Sequence, residues 1–416
     1  MTAEIISVGT ELLMGQIVNT NAQYLSQKLA SLGINVYHQA TVGDNPARLK
    51  ETVRHALSRA DIIVLSGGLG PTGDDLTKEA VADALARRLV RFADAEETLR
   101  ARFLAMGRDM TPNNLRQADF PDGSELLKNP NGTAQGCILR AEDKIAILLP
   151  GPPQELIPMF ENEVAPRLEK LSGVKLYSRE IRVFGMGESS VEYALRDLMR
   201  RQDNPTIAPY AKTGEVTLRV TARCEDETMG EALSLPVIDE IKKRLGDVVY
   251  STSGVTLAGV CAGLLMEKNA TLAVAESCTG GLLSSVLVDI PGISDCFMEG
   301  AATYSDLAKC RRLGVLSATL DAYGAVSAEC AKEMALGMRR GALTDYALSV
   351  TGIAGPGGGT AKKPVGLVYV ALADEERATV KKVLLSGDRA RIRALAVLHA
   401  LDLLRRRLCG LPVAQE

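Results

Sequence analysis

The sequence predicts an α/β protein built from three consecutive units. Three observations predict it. From Glu4 to Leu89, short apolar runs alternate with segments of helical spacing, the pattern of βαβ units and a parallel sheet. Between Ser178 and Tyr250 the pattern changes to a small α+β unit, where Glu215 to Arg223 alternates apolar and polar residues. From near Ser253 the strand and helix alternation returns, and glycine-rich loops follow the strands. The expected boundaries are 1–172, 173–252 and 253–416, with a linker over Leu171 to Tyr177.

In the first unit, strands are expected at Glu4–Val8, Ile34–Val42 and Asp61–Leu65, with helices over Asn21–Leu32, Pro46–Ser58 and Leu76–Leu89. Strands Cys137–Leu139 and Lys144–Leu149 follow. Pro150-Gly151-Pro152-Pro153 then opens a helix to about Leu168, where prolines suit the first turn. The middle unit has a strand at Ile181–Gly187, a helix from Glu188 to Arg200, further strands, and a closing helix from Met229 to Leu245. Arg196, Arg200 and Arg201 form a basic stripe that reads as a solvated face.

In the third unit a helix over Leu257–Met266 leads into a strand, Leu272–Ala275. Strands at Phe297–Tyr304, Tyr346–Thr351, Gly366–Leu372 and Ala378–Leu385 follow, and a terminal helix begins after Arg389.

Composition narrows the function classes. The 416 residues carry a formal net charge of −3, which argues against a strongly basic nucleic-acid binder. Aromatics make up 4% of the chain and Trp is absent, so platforms for base stacking are scarce. The eight cysteines are isolated, with no C-x-x-C pair, and read as reduced thiols. No apolar run is long enough to span a bilayer, and the acid-bearing opening lacks a basic leader. The expected location is the cytoplasm, away from membranes.

Two loops carry candidate chemistry. Ser66 to Asp75, SGGLGPTGDD, follows a strand. Gly67, Gly68 and Gly70 can let backbone amides approach a phosphate, and Asp74 and Asp75 can hold a hard divalent ion or act as first-turn helix acids. Thr271 to Leu282, TLAVAESCTGGL, runs from a strand through Gly280 and Gly281 into a helix. Free N–H groups at such a helix start can hold an anion or an oxyanion, beside the nucleophile candidates Ser277 and Cys278. The plainer reading has Ser277 or Thr279 as the helix cap.

No histidine lies between His55 and His399, so a base for Ser277 is expected from Lys309 or Tyr304. Thr351 and Arg389, each at a strand end, and the loop Gly352 to Thr360 can converge on the same cleft.

AESCTGG (Ala275–Gly281), TYSDLAK (Thr303–Lys309), GAVS (Gly324–Ser327), TGIAGPGGG (Thr351–Gly359), KPVG (Lys363–Gly366) and SGDR (Ser386–Arg389) resemble the C-terminal nicotinamide mononucleotide deamidase domain of the CinA family. VGTELLMGQIVNTN (Val8–Asn21), SGGLGPTGDDLT (Ser66–Thr77), NPNGTAQG (Asn129–Gly136) and PGPPQE (Pro150–Glu155) resemble the same family's molybdopterin-binding-like domain, and the middle unit is similar to its KH-like domain.

The resemblance implies an N-terminal α/β domain of the molybdopterin-binding type, a small KH-like α+β domain and a C-terminal α/β amidase domain. It implies deamidation of nicotinamide mononucleotide by Ser277 with Lys309 or Tyr304, and roles for Thr351 and Arg389. Amides near Thr279, Gly280 and Gly281, or near Thr351 and Gly352, would steady the oxyanion, and Arg389 with the Gly355 loop would place the nucleotide. No cofactor is implied for this reaction.

For the first unit the resemblance implies an ADP-ribose pyrophosphatase using Mg²⁺ or another divalent cation on Asp74 and Asp75, with Gly68, Thr72 and Lys78 near the diphosphate. It also implies a homodimer that acts on small nucleotides. The KH-like resemblance does not extend to RNA binding, because Gly185-Met186-Gly187-Glu188 breaks the G-x-x-G loop and places an acid in it.

Overall fold

A computed structural model describes residues 1–173, 175–200 and 203–413. Val174 of the expected linker and Arg201 of the basic stripe lie outside the described residues. The chain divides into two compact units: Met1–Ser178 with Ala222–Ala232, and Arg179–Thr221 with Leu233–Glu416.

The first unit is organised by a six-stranded sheet. Its strands are β1 (Thr2–Val8), β2 (Asn35–Val42), β3 (Ile62–Ser66), β4 (Glu125–Leu127), β5 (Gly136–Ala141) and β6 (Lys144–Leu149), in the order β2-β1-β3-β6-β5-β4. Residues of β3 alternate between two cores. Ile63 and Leu65 pack on one face and Ile62 and Val64 on the other, so the strand is covered on both sides.

β1, β2, β3 and β6 pair in parallel, as the βαβ spacing predicts. The sheet as a whole is mixed, however, because β4–β5 and β5–β6 are antiparallel. Only Glu142 and Asp143 join β5 to β6, and two residues can close a hairpin but not a parallel crossover. Glu142 takes the left-handed conformation that this turn needs, at φ 53.

Two expected helices differ in form. The one expected over Leu76–Leu89 occupies Thr77–Ala84, and Leu89–Arg91 instead pairs with Asp119–Pro121 in a small ribbon. The helix that starts at Pro153 passes through a π turn at Phe160–Val164, just beyond Pro158, which cannot supply an amide to a regular helix.

β7 (Lys175–Phe184), β8 (Thr206–Lys212), β9 (Glu215–Cys224) and β10 (Val249–Ser251), which fall mostly in the second unit, form a sheet ordered β8-β9-β7-β10. Ile181, Val183, Leu218 and Val220 meet Val191 and Leu195 of the helix Glu188–Arg200 in its core.

The same unit holds a five-stranded sheet of β11 (Leu272–Glu276), β12 (Phe297–Ala302), β13 (Tyr346–Gly352), β14 (Leu367–Ala373) and β15 (Ala378–Leu384). The order is β12-β11-β13-β14-β15. β11 is parallel to both neighbours, while β13–β14 and β14–β15 are antiparallel. Leu272 and Val274 face the helices Leu257–Glu267 and Arg389–Leu408, whereas Ala273 and Ala275 face Ala328–Ala342. The centre of the sheet is thereby dry on both sides, and its polar loops collect at the strand ends. Among the described residues no helix is long and apolar enough to cross a membrane.

Candidate active site

Ser277 follows the last residue of β11, the middle strand of a parallel trio. Its N–H donates to Val350 O of β13 at 2.9 Å, and Thr303 N–H donates to Glu276 O at 2.8 Å where β12 ends. The chain leaving β12 therefore passes beside Ser277. Ser305 then caps the helix Asp306–Leu313 by accepting from Ala308 N–H, and this short helix carries Lys309 back toward the strand ends.

The Lys309 side chain is 1% exposed. Its Nζ lies 3.2 Å from Ser277 Oγ, 3.0 Å from Thr303 O and 3.2 Å from Tyr304 O. A buried amine left without partners would be costly, and here it has three. The two carbonyls can accept only hydrogens, so they fix the direction of two N–H bonds. The remaining tetrahedral position of Nζ faces the serine hydroxyl.

The turn after Ser277 differs from the expectation of free amides. Glu276 is fully buried and reaches back to the helix Leu282–Val288. Its carboxylate accepts from Gly281 N–H at 3.0 Å, Leu283 N–H at 2.9 Å, Ser284 N–H at 2.9 Å and Ser284 Oγ at 2.6 Å. The helix start is thus closed by its own acid, and neither Ser277 nor Thr279 caps it.

Gly280 N–H turns back to Ser277 O, so the glycines expected to offer amides have theirs engaged. Both glycines are left-handed, at φ 57 and φ 93, which is what lets the chain bend here. Among the described residues, Cys278 N–H and Thr279 N–H donate to no acceptor on another residue. The Thr279 hydroxyl is buried without a partner. Burial pushes the Cys278 thiol up to about 11.

Tyr304 and Arg389 meet each other rather than Ser277. The Tyr304 side chain is exposed, and its OH accepts from Arg389 Nη2 at 3.2 Å, while Arg389 Nη1 donates to Gly355 O at 2.7 Å. Thr351 is buried and its hydroxyl donates to Ala325 O at 2.7 Å, which ties the GAVS segment to the end of β13. Gly352 and Gly355 have internal reasons to be glycine. A Cβ on Gly352 would stand 2.8 Å from Leu367 O, and one on Gly355 would meet Val365 at 2.6 Å.

His399 stacks edge-on to Phe184, with ring centroids 5.0 Å apart. Arg393 was not apparent from the sequence. It donates through Nε and Nη2 to Thr279 O, at 3.2 and 2.6 Å. Its position one turn beyond Arg389 on the terminal helix is a signal that could have found it.

In the first unit, a cleft of about 420 Å³ opens where β1, β3 and β6 end. Gly67, Gly68, Gly70, Thr72, Asp74 and Asp75 line it, together with Pro150 and Gly151. Gly67 and Gly68 are left-handed, and a Cβ on either would stand 2.3 Å from Val8 O or Thr77 Oγ1. Asp75 Oδ2 accepts from Thr72 N–H at 2.9 Å and from the Thr72 hydroxyl. The helix begins at Thr77, beyond both aspartates, so neither is an acid of its first turn.

Lys78 is directed elsewhere. Its buried Nζ donates to Arg116 O at 2.6 Å and lies 4.8 Å from the Phe120 ring centroid, outside the cleft lining. Glu11, Asp44, Gln117 and Glu155 also line the cleft, and the sequence did not single them out as ligands.

No group of three or more His, Cys, Asp or Glu side chains that could hold a metal exists among the described residues. Mg²⁺ usually takes one or two carboxylates and completes its shell with water and phosphate oxygens. The residues present therefore fit a cation that arrives with a diphosphate, not a dedicated metal cage.

Taken together, these features define a mixed α/β protein that carries a molybdopterin-binding-type domain, a KH-like domain and a C-terminal domain with a buried serine–lysine pair. Models of three domains match in that order: the probable molybdopterin binding domain over residues 4–170, the damage-inducible protein CinA KH domain over 178–251, and the CinA C-terminal domain over 255–408. A competence-damage inducible protein of Acetivibrio thermocellus is 50% identical over 98% of this chain and 98% of its own length. A CinA-like protein of Kosmotoga olearia is 49% identical over 99% of this chain and 100% of its own. Among solved structures, the protein CinA with unknown function from Thermoplasma acidophilum is 34% identical. It covers 41% of this chain and 99% of its own, at a TM-score of 0.38. The chain belongs to the CinA family.

Proposed function

We propose that the C-terminal domain hydrolyses the carboxamide of nicotinamide mononucleotide to nicotinate mononucleotide and ammonia, with Ser277 as nucleophile and Lys309 as base. The observation that carries this is the 3.2 Å contact between the buried Lys309 Nζ and Ser277 Oγ. Lys309 Nζ takes the hydroxyl proton as Oγ attacks the amide carbon.

The negative charge that develops on the amide oxygen is steadied by the N–H groups of Cys278 and Thr279, the two donors of the turn that have no other acceptor. Lys309 then gives its proton to the departing nitrogen, ammonia leaves, and an ester to Ser277 remains. Water, deprotonated by Lys309, cleaves that ester and releases the carboxylate and the serine. Arg389, held by Gly355 O and Tyr304, would meet the anionic part of the nucleotide through its planar guanidinium.

For the first unit the supported reading is metal-dependent cleavage of the ADP-ribose diphosphate in the 420 Å³ cleft. Asp74 and Asp75 would hold Mg²⁺, which would supply charge neutralisation on the diphosphate. The glycine loop Gly67–Gly70 would bring its backbone close to the phosphates.

The experiment that tests the main reading is ammonia release from nicotinamide mononucleotide by the purified chain. Release that stops in Ser277→Ala supports it. A chain that releases none across pH and metal conditions would refute it.

A further inference from the structure

We propose that Glu276, which does not touch the reacting atoms, is the positioning residue of this serine site. The inference rests on the amidase reading and adds a group that sets how well the nucleophile and the oxyanion donors are aimed. The chain between Glu276 and Ser284 contains the nucleophile, two left-handed glycines and the start of a helix only seven residues long. Such a segment has little to hold it by itself, since neither serine nor threonine caps the helix and two glycines leave the backbone free to turn.

The Glu276 carboxylate supplies the missing constraint. It is anchored at one end in β11, and at the other it accepts four hydrogen bonds from Gly281, Leu283 and Ser284. Both ends of the turn are thereby fixed to one buried group. The arrangement also decides what the turn can bind. Three of the amides that a phosphate or oxyanion would otherwise seek at a helix start already have an anion of their own. The donors left for substrate are Cys278 N–H and Thr279 N–H, directly after Ser277.

Arg393 holds the turn from its carbonyl side. Its two bonds to Thr279 O fix the peptide that joins Thr279 to Gly280, and Gly280 N–H closes on Ser277 O. Acid and guanidinium together restrict rotation of the peptides on either side of the free donors. Pre-set donors of this kind account for much of the catalytic advantage of acyl-transfer sites, because they need not reorganise as charge develops.

The test uses the full chain and three measurements on wild type, Glu276→Gln and Ser284→Ala: kcat and KM for ammonia release from nicotinamide mononucleotide, the rate at which phenylmethanesulfonyl fluoride modifies Ser277 by intact mass, and the thermal melt. The amide of Gln presents N–H groups to backbone N–H groups, so Glu276→Gln loses part of the clamp with no change in size. Its kcat is expected to fall roughly 100-fold with KM little changed, the scale of loss for an ångström of misplacement. Modification of Ser277 slows in step, and Ser284→Ala shows the same pattern with a several-fold loss.

A purely structural role would lower the melt and leave the behaviour of the folded protein intact. Folded Glu276→Gln with kcat and modification rate within about twofold of wild type overturns the proposal. Should Glu276→Gln not fold, Ser284→Ala decides by the same criterion. Should wild type release no ammonia yet be modified at Ser277, slower modification in the variants upholds the positioning role while the substrate assignment falls. A wild type that neither reacts nor is modified removes both.

Discussion

Lys309 Nζ and Ser277 Oγ stand 3.2 Å apart across 32 residues of chain. Sheet order brings them together. β11 and β12 are parallel neighbours, so the chain leaves β12 at the same edge of the sheet where β11 delivers Ser277. A helix capped by Ser305 starts at once, and Lys309 falls in its first turn. The pair is thus a property of strand register and one cap.

The geometry favours Lys309 over Tyr304 as the base. Lys309→Met is expected to lower ammonia release from nicotinamide mononucleotide by roughly 10²–10⁴-fold, the usual contribution of a positioned proton acceptor. Tyr304→Phe removes only the hydroxyl that Arg389 contacts, and its effect should appear mainly in KM. Steady-state kinetics of the two variants decide the matter. A larger kcat loss in Tyr304→Phe would hand the base role to the tyrosine.

Ser277 and Cys278 are separated by a second comparison. Burial holds the Cys278 thiol at about 11, so almost none of it is thiolate near neutral pH, and the thiolate is the reactive form. Cys278→Ala should keep most of the ammonia release and Ser277→Ala should keep none. ADP-ribose turnover should survive both. Activity lost only in the cysteine variant would reverse the assignment.

Most of the fold was legible because its strands are short apolar runs at βαβ spacing, as at Ile62–Ser66 and Leu272–Glu276. What failed was pairing direction: the hairpin between β5 and β6 hangs on Glu142 and Asp143, a pair with no strong turn preference. The helix–ribbon segment from Leu89 to Pro121 has no clean periodicity, and the sequence offered no assignment for much of it. At the site, Ser277, Lys309 and Arg389 could be named from motifs, but the choice between Lys309 and Tyr304 depended on side-chain direction. The closure of the helix start by Glu276 was hidden for a related reason. A single acid after an apolar strand says nothing about which amides it will reach.

Asp74 and Asp75 carry a prediction for the first unit. Asp75 is engaged with Thr72, so Asp75→Asn disturbs the loop as well as any cation. The Thr72 hydroxyl also lowers the pKa of the Asp74 carboxyl, but the Thr72 N–H bond that orders the loop belongs to Asp75, so Asp74→Asn leaves that bond in place. Its ADP-ribose hydrolysis is expected to fall at least about tenfold at limiting Mg²⁺ and to recover partly at high Mg²⁺, because one carboxylate is a large share of a Mg²⁺ site. AMP formation from ADP-ribose against Mg²⁺ concentration measures this. Identical curves for wild type and Asp74→Asn would remove Asp74 from the metal site.

Lys78 bears on stability. Burial pushes its amine down to about 8, against roughly 10.4 for an exposed lysine. Between those values the unfolded chain holds a proton that the native state has lost, so the native state gains stability as pH rises through that window. Below about pH 8 both states are protonated and the whole cost of burying the charge is present, on the order of 3 kcal/mol for a shift of this size. Lys78→Met cannot titrate. Whatever the variant loses with the bond to Arg116 O is independent of pH, so its melting temperature relative to wild type should be most favourable near pH 7 and decline toward pH 10. Melts of both proteins that run parallel from pH 7 to 10 would show that the buried amine titrates as an ordinary lysine.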